Sequence, residues 1–128
     1  MFEWDTRKAA VNRSKHGVSF DEAATVFSDP DALDGPDLRH SEKERRSLRL
    51  GRSATGRVLL VADTVRRRDD GESLRIISAR RASRKERAIR IDPQVLGALR
   101  REAKRRGLGY QSLINELLAK YVGRTRTA

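Results

Sequence analysis

The sequence predicts an α+β fold: a small antiparallel sheet with N-terminal helices, followed by a strand, a helix and a second helix that dimerise. Three observations support this prediction. Two stretches near the N-terminus carry helix caps, three strand-like runs separated by turns follow, and the last third has apolar residues at helical spacing. The 128 residues suffice for one domain or two very small ones.

The N-terminal stretch carries the signals of an edge strand and two helices. Residues 2–4 are largely apolar, and Trp4 is interpreted as a core residue rather than as a platform for stacking bases. The first helix has a capping residue and a terminal glycine, and the second opens on a capping box. The boundary residues are Asp5, His16 and Gly17 for the first helix, and Ser19, Glu22 and Asp29-Pro30 for the second.

Three strand-like runs follow, at residues 48–50, 58–62 and 74–79. The turns between them, 53–56 and 68–71, contain the glycines that are typical of hairpins. An antiparallel meander is therefore expected, and the two helices must cover one face of it, since that face would otherwise expose its apolar side chains to water.

The residue pattern of the C-terminal third predicts a short basic helix over 82–87, a strand over 88–91 and two helices separated by Gly107 and Gly109. About 35 residues cannot bury this much apolar surface alone, and the chain has no cysteine to form disulfides. The segment should therefore dimerise. The expected dimer core consists of Ile89, Ile91, Leu99, Leu113, Ile114 and Leu117.

The charge of the chain indicates a polyanionic partner. The formal net charge is +11. Residues 1–80 hold 16 Lys or Arg against 14 Asp or Glu, whereas residues 81–128 hold 13 against 4, so most of the excess lies near the C-terminus. No apolar run is long enough to span a membrane, and we expect a cytoplasmic protein without a membrane partner.

Residues 1–87 resemble the BrnT toxins of bacterial type II toxin–antitoxin systems. The resemblance rests on Phe2-Glu3-Trp4-Asp5, on residues 15–20 (KHGVSF) and on residues 75–80 (RIISAR). It implies a fold similar to the RelE ribonucleases, RNA as the substrate, and translation-blocking cleavage of that RNA. A separate antitoxin chain is a further implied partner.

Residues 89–96 and 109–115 resemble the ribbon-helix-helix part of BrnA, the antitoxin partner. This resemblance implies a DNA-binding homodimer over residues 88–123, with a disordered tail over 124–128, and operator DNA as a partner. Alternation places Ala88 and Arg90 on the strand face that reads bases. The start of the last helix, at Gly109, Tyr110, Gln111 and Ser112, would hold a phosphate. The alternative is a dimerisation module that never contacts DNA.

Metal-free RNA cleavage needs a base for the 2′-hydroxyl, a proton donor for the leaving oxygen and cations around the transition state. The candidates are Lys15, His16, Arg46, Arg75 and Arg80. His16 has the alternative role of a cation at a helix C-terminus, and Arg75 that of a solvated side chain. We expect no metal or cofactor, because two histidines without cysteine support no metal site.

Two functions therefore compete at the level of sequence. The first is a ribonuclease toxin fused to an antitoxin-like DNA-binding module. The second is a DNA-binding autorepressor whose toxin-like half is an inactive scaffold. Two residues support the second function, because Asp63 and Arg90 stand where related toxins often carry other residues. An added carboxylate beside a phosphate site would repel the substrate.

Overall fold

The structure, a computed structural model, describes residues 1–36, 45–91 and 93–109, together with Leu113 and Glu116. Within these residues the predicted α+β fold is confirmed. The strands are β1 (Phe2–Glu3), β2 (Leu33–Pro36), β3 (Arg46–Arg52), β4 (Val58–Arg68) and β5 (Gly71–Arg81). The helices are α1 (Thr6–His16), α2 (Phe20–Thr25), α3 (Arg84–Ile91) and α4 (Pro93–Arg105), with a 3-10 turn at Val26–Ser28.

The strands form one sheet in the order β1-β5-β4-β3-β2. The predicted meander is confirmed as β3-β4-β5, and β1 is the predicted edge strand, parallel to β5. At the other edge, β2 pairs antiparallel with β3. This strand was not predicted, because Asp34, Gly35 and Pro36 are residue types that strands disfavour. An edge position accommodates the proline, which has no N–H to donate.

The first helix begins and ends at the predicted residues. The second begins as predicted but ends at Thr25, and the 3-10 turn Val26–Ser28 continues to Asp29, where the helix was expected to end. The Asp5 carboxylate caps α1, and Gly17, with φ of 69°, ends it. Ser19 caps α2 by accepting a hydrogen bond from the Glu22 N–H at 3.1 Å. The Glu22 carboxylate does not complete the capping box. It forms an ion pair with Arg57 and accepts hydrogen bonds from the Ser53 and Thr55 hydroxyls, both at 2.7 Å.

Both faces of the sheet are covered by helices. The α1 face, on which α1 and α2 pack, buries one cluster, and the α4 face buries a second cluster against which Leu99 of α4 packs. The apolar run of β4 is continuous because its alternate residues enter the two clusters. The α1-face cluster contains Val18, Phe20, Ala23, Val26, Leu59, Val61, Ile76 and Ala79, and the α4-face cluster contains Leu48, Leu50, Val58, Leu60 and Ala62.

The predicted strand over 88–91 is wrong, because α3 runs on to Ile91. A complete capping box starts this helix. The Ser83 hydroxyl accepts from the Glu86 N–H at 3.1 Å, and the Glu86 carboxylate accepts from the Ser83 N–H at 2.7 Å. The short basic helix was predicted in the right place but ended too early. Four residues of alternating Ile and charge are too few to distinguish a strand from a helix.

The predicted interchain core stays a prediction, although two of its residues have intrachain surroundings in the structure. Leu99 packs within its own chain, and Leu113 is 2% exposed in the single chain. Ile89 and Ile91 lie on α3, so the strand that would pair in a dimer is a helix. The predicted helix after Gly109 falls largely outside the described residues, as do Tyr110, Gln111, Ser112, Ile114 and Leu117.

Candidate functional site

A groove of about 340 Å³ runs between α1 and the edge of β5. β1 pairs with β5 at Leu74 and Arg75, so α1 rather than a strand lies beside the later part of β5. Val11, 65% exposed, lies in the middle of the groove between cations. A polyanion with apolar bases fits such a lining. The lining residues are Arg7, Lys8, Val11, Asn12, Lys15, His16, Ile77 and Ser78.

Asn12 holds α1 against β5. Its side-chain amide donates to the Ala79 carbonyl at 2.8 Å and to the Val18 carbonyl at 3.0 Å, while its Oδ1 accepts from the Ala79 N–H at 3.1 Å. The side chain thus pairs with the strand edge as a neighbouring strand would. It places the last turn of α1, with Lys15 and His16, beside Ser78. The sequence analysis did not select Asn12, because its partner lies 67 residues away along the chain.

His16 is the predicted base, and its surroundings favour the neutral imidazole. Partial burial lowers the pKa of His16, and the positive charges of Lys15 and Arg80 lower it further. A neutral imidazole at pH 7 can accept a proton. Two predicted catalytic residues, Lys15 and His16, thus line the groove at the C-terminal end of α1, and the charge of a third, Arg80, acts on His16.

Arg80 is held by a buried carboxylate. Its two terminal nitrogens donate to the two oxygens of Glu86 at 2.8 and 2.9 Å, and Glu86 is fully buried. Burial opposes ionisation of Glu86, but the hydrogen bonds from Arg80 and Ser83 outweigh it and lower the pKa of the carboxyl. Arg80 thus links the end of β5 to the start of α3, and it acts on His16 through its charge.

Arg46 and Arg75 lie apart from this cluster, in one row across the α4 face. The register pairs Arg46 with Thr64, Thr64 with Arg75, and Arg75 with Glu3. Paired residues project from the same face of a sheet, so the two arginines flank Thr64. The Arg75 guanidinium lies 3.9 Å from the Glu3 carboxylate.

The arginine row meets the groove at the start of α1. The pKa of Asp5 is lowered by hydrogen bonds from the Lys8 and Arg7 N–H groups, and then by the charges of Lys8 and Arg75. Arg75 therefore lies near the Lys8 end of the groove, whereas His16 lies at the opposite end. Eight residues of helix separate these ends by about 12 Å. The five predicted residues thus form two groups.

Asp63 does not face the arginine row. It pairs with Ile76 and Ser47 and belongs to the α1 face, whereas Arg46 and Arg75 belong to the α4 face. Asp63 is therefore not placed beside those two arginines, and its repulsion of a bound phosphate stays a prediction. Asp63 is 4% exposed, and burial raises its pKa to about 6; nearby Arg49 opposes this rise and Asp34 adds to it.

Within the described ranges, no three His, Asp or Glu side chains converge on one point that could hold a metal. No helix in the same part of the chain is long and apolar enough to cross a membrane.

Comparison with known proteins identifies the family. The sequence model of the ribonuclease toxin BrnT, of type II toxin–antitoxin systems, matches residues 4–86. The chain belongs to the BrnT family. The 1.1 Å crystal structure of the Brucella abortus ribonuclease toxin BrnT shares 24% identity, covers 66% of this chain and 99% of its own, and superposes with a TM-score of 0.48. No curated protein sequence matches the chain.

BrnT membership makes the chain a ribonuclease toxin of a type II toxin–antitoxin system, and it implies RNA as substrate and an antitoxin as partner. The groove, the arginine row and the Arg80–Glu86 pair all lie within the matched residues. The family match ends where α3 has just begun, and no comparison supports a BrnA-like segment after it.

The two residues predicted to contact DNA bases from a strand lie on a helix in the structure. Ala88 and Arg90 lie on α3 and therefore do not alternate between two faces of a strand. Gly109 is exposed, and its carbonyl accepts from the Leu113 N–H at 3.2 Å. Phosphate binding by this glycine, and DNA binding by the segment as a whole, stay predictions.

Proposed function

We propose that this chain is an endoribonuclease that cleaves RNA at the His16 end of the groove by activating the 2′-hydroxyl of the substrate. The observation that carries the proposal is the placement of Lys15 and His16 beside Ser78 in a groove lined with cations, with the charge of Arg80 acting on His16. The proposal includes blocking of translation as the cellular effect.

In the proposed reaction His16 takes the proton of the 2′-hydroxyl, and the 2′-oxygen attacks the neighbouring phosphorus. The bond from phosphorus to the 5′-oxygen breaks, which leaves a 2′,3′-cyclic phosphate and a 5′-hydroxyl. Lys15 stabilises the negative charge of the transition state and supplies the proton to the leaving oxygen. These side chains and the 2′-hydroxyl supply every group that the step needs, so we propose that it proceeds without a metal.

The remaining predicted arginines have a different role in this proposal. Arg75 lies near the Lys8 end of the groove, and about 12 Å of helix separates that end from His16. Arg46 lies in the same row, on the other side of Thr64. They therefore bind phosphates on one side of the cleaved bond, as does Lys8. Arg80 is a positioning residue, since its ion pair with Glu86 fixes its charge where, after burial and the charge of Lys15, it further lowers the pKa of His16.

The proposal is tested with the purified full chain and RNA whose product ends are analysed. We expect His16→Ala to lower kcat by about 10²–10⁴-fold, and Arg75→Ala to raise KM more than it lowers kcat. Arg13→Ala is the matched control, because Arg13 is an exposed cation of α1 outside the groove. Cleavage should persist in EDTA.

Undiminished cleavage by a folded His16→Ala protein would reject the assigned base. Product ends other than a cyclic phosphate and a 5′-hydroxyl would reject the 2′-hydroxyl mechanism. Loss of cleavage in EDTA would reject only the claim that no metal takes part.

A further inference from the structure

A second depression lies at the end of the sheet opposite the arginine row. The β3–β4 hairpin, the end of β5 and the first turn of α3 surround its volume of about 520 Å³. The Ala82 N–H donates to the Val58 carbonyl at 2.9 Å and so joins the end of β5 to the start of β4 beside the depression. We name this depression the arginine cleft, and its lining residues are Gly56, Arg57, Val58, Arg81, Ala82 and Arg87.

The cleft carries positive charge that its own carboxylates do not cancel. Arg57 forms an ion pair with Glu22, and its Nε donates to that carboxylate at 2.9 Å. Among the described residues, Glu86 is a second carboxylate close to the cleft, and it is engaged by Arg80. Arg81 and Arg87 are both exposed at the cleft and add two positive charges. Arginine binds phosphate oxygens through paired N–H groups, so an oxyanion is the ligand that this lining favours.

The arginine cleft borders the His16 end of the groove at two points. Arg57 donates to the carbonyl of Gly17, the residue after His16, at 3.2 Å. Arg80, which lies near His16, donates to the carbonyl of Arg81 at 3.1 Å. Along β5, Ser78 of the groove and Arg81 of the cleft are separated by about 10 Å. A single strand of RNA can therefore pass from one depression into the other.

We propose that the arginine cleft is a subsite for RNA backbone phosphates on the side of the cleaved bond opposite Arg46 and Arg75. This inference rests on the proposed function. RNA is favoured over an acidic protein because the cleft continues the groove in which the reaction is placed. The substrate then spans three positive regions: the arginine row, the His16 end of the groove and the arginine cleft.

The experiment measures binding of the full chain to RNA in which 2′-O-methyl groups prevent cleavage, using fluorescence anisotropy over a range of salt concentrations. A short and a long oligonucleotide, of about 4 and about 12 nucleotides, are compared, because single-stranded sites span roughly 4–16 nucleotides. The test variant is R81Q/R87Q. The matched control is R101Q/K104Q, which removes the same charge from exposed positions of α4.

We expect R81Q/R87Q to lower the affinity for the long RNA about tenfold and to reduce the slope of log K against log salt by about 1.4, the value for two phosphates of a single strand. The gain in affinity from the short to the long RNA should be smaller for R81Q/R87Q than for the unsubstituted chain. The control should change both quantities far less. Equal melting temperatures of the two variants establish that folding is retained.

Three outcomes would overturn the subsite. In the first, R81Q/R87Q lowers the affinity for the long RNA no more than the control does, which is the result expected if the cleft binds an acidic protein. In the second, R81Q/R87Q lowers the affinities for the short and the long RNA by equal factors. In the third, it leaves the slope of log K against log salt unchanged. These outcomes are independent of the proposed catalysis, since His16→Ala is tested by cleavage and the cleft by binding of an uncleavable RNA.

Discussion

At the scale of single residues, Asp63 stands out as a carboxylic acid that is only 4% exposed. Burial raises its pKa from 3.8 to about 6, so ionisation is more costly in the folded chain than in the unfolded one. The free energy of unfolding should therefore fall as the pH rises from about 4 to about 6, by an amount on the order of 3 kcal/mol.

Asp63→Asn should remove this pH dependence and stabilise the chain at neutral pH by up to about 3 kcal/mol. Urea unfolding at acidic and neutral pH checks the prediction. Asp70→Asn is the control, because Asp70 is an exposed carboxylate in the turn between β4 and β5. An Asp63→Asn protein that still loses stability between pH values of about 4 and 6, as the control does, would contradict it.

Sequence alone could select residues by chemical type but could not assign their neighbours. His16 was found because imidazole titrates near neutral pH, and its place at the end of α1 followed from Gly17. The partners of Asn12, Glu22 and Asp63 are set by strands tens of residues away, so no local pattern reveals them. The face of the sheet on which Asp63 lies could not be predicted for this reason, since it depends on the register of β4.

At the scale of elements, the accuracy of prediction followed the strength of the local signal. Helix α1 has a cap, a glycine stop and a full set of turns between them, and it was predicted to the residue. Strand β2 has no such signal, and only its pairing with β3 makes it a strand. For residues 88–91 the alternation of Ile and Arg predicts a strand, whereas the capping box at Ser83 and Glu86 starts a helix. The structure has the helix over these residues.

Ser83→Ala tests the capping box of α3. Both of its hydrogen bonds satisfy groups at the start of the helix, and losing the hydroxyl should cost about 1 kcal/mol of stability. The loss is measured by urea unfolding. Ser73→Ala is the matched control, since the Ser73 hydroxyl is buried with no hydrogen-bond partner among the described residues and its removal should be neutral or stabilising. Equal effects of the two substitutions would show that the Ser83 hydroxyl contributes nothing to the box.

At the scale of the whole molecule, the residues after the family match cover part of the same sheet that carries the arginine row. Leu99 of α4 packs against the cluster on the α4 face, next to which Arg46 and Arg75 lie further along the strands. The C-terminal third thus buries apolar surface of the toxin domain itself. The sequence suggested a second chain for this role because the apolar stripe of α4 does not reveal which surface covers it.

Leu99→Ala distinguishes these two arrangements. If Leu99 packs within its chain, the substitution should lower the free energy of unfolding by about 1–3 kcal/mol, less than for a fully buried leucine, and the loss should not depend on protein concentration. A leucine in a dimer core would instead give a loss that grows on dilution, together with dissociation of the dimer, because binding between subunits contributes to stability by mass action. Leu108→Ala is the control, since Leu108 is the exposed leucine that follows α4. Unfolding monitored at several protein concentrations, with the mass in solution measured at each, decides between them.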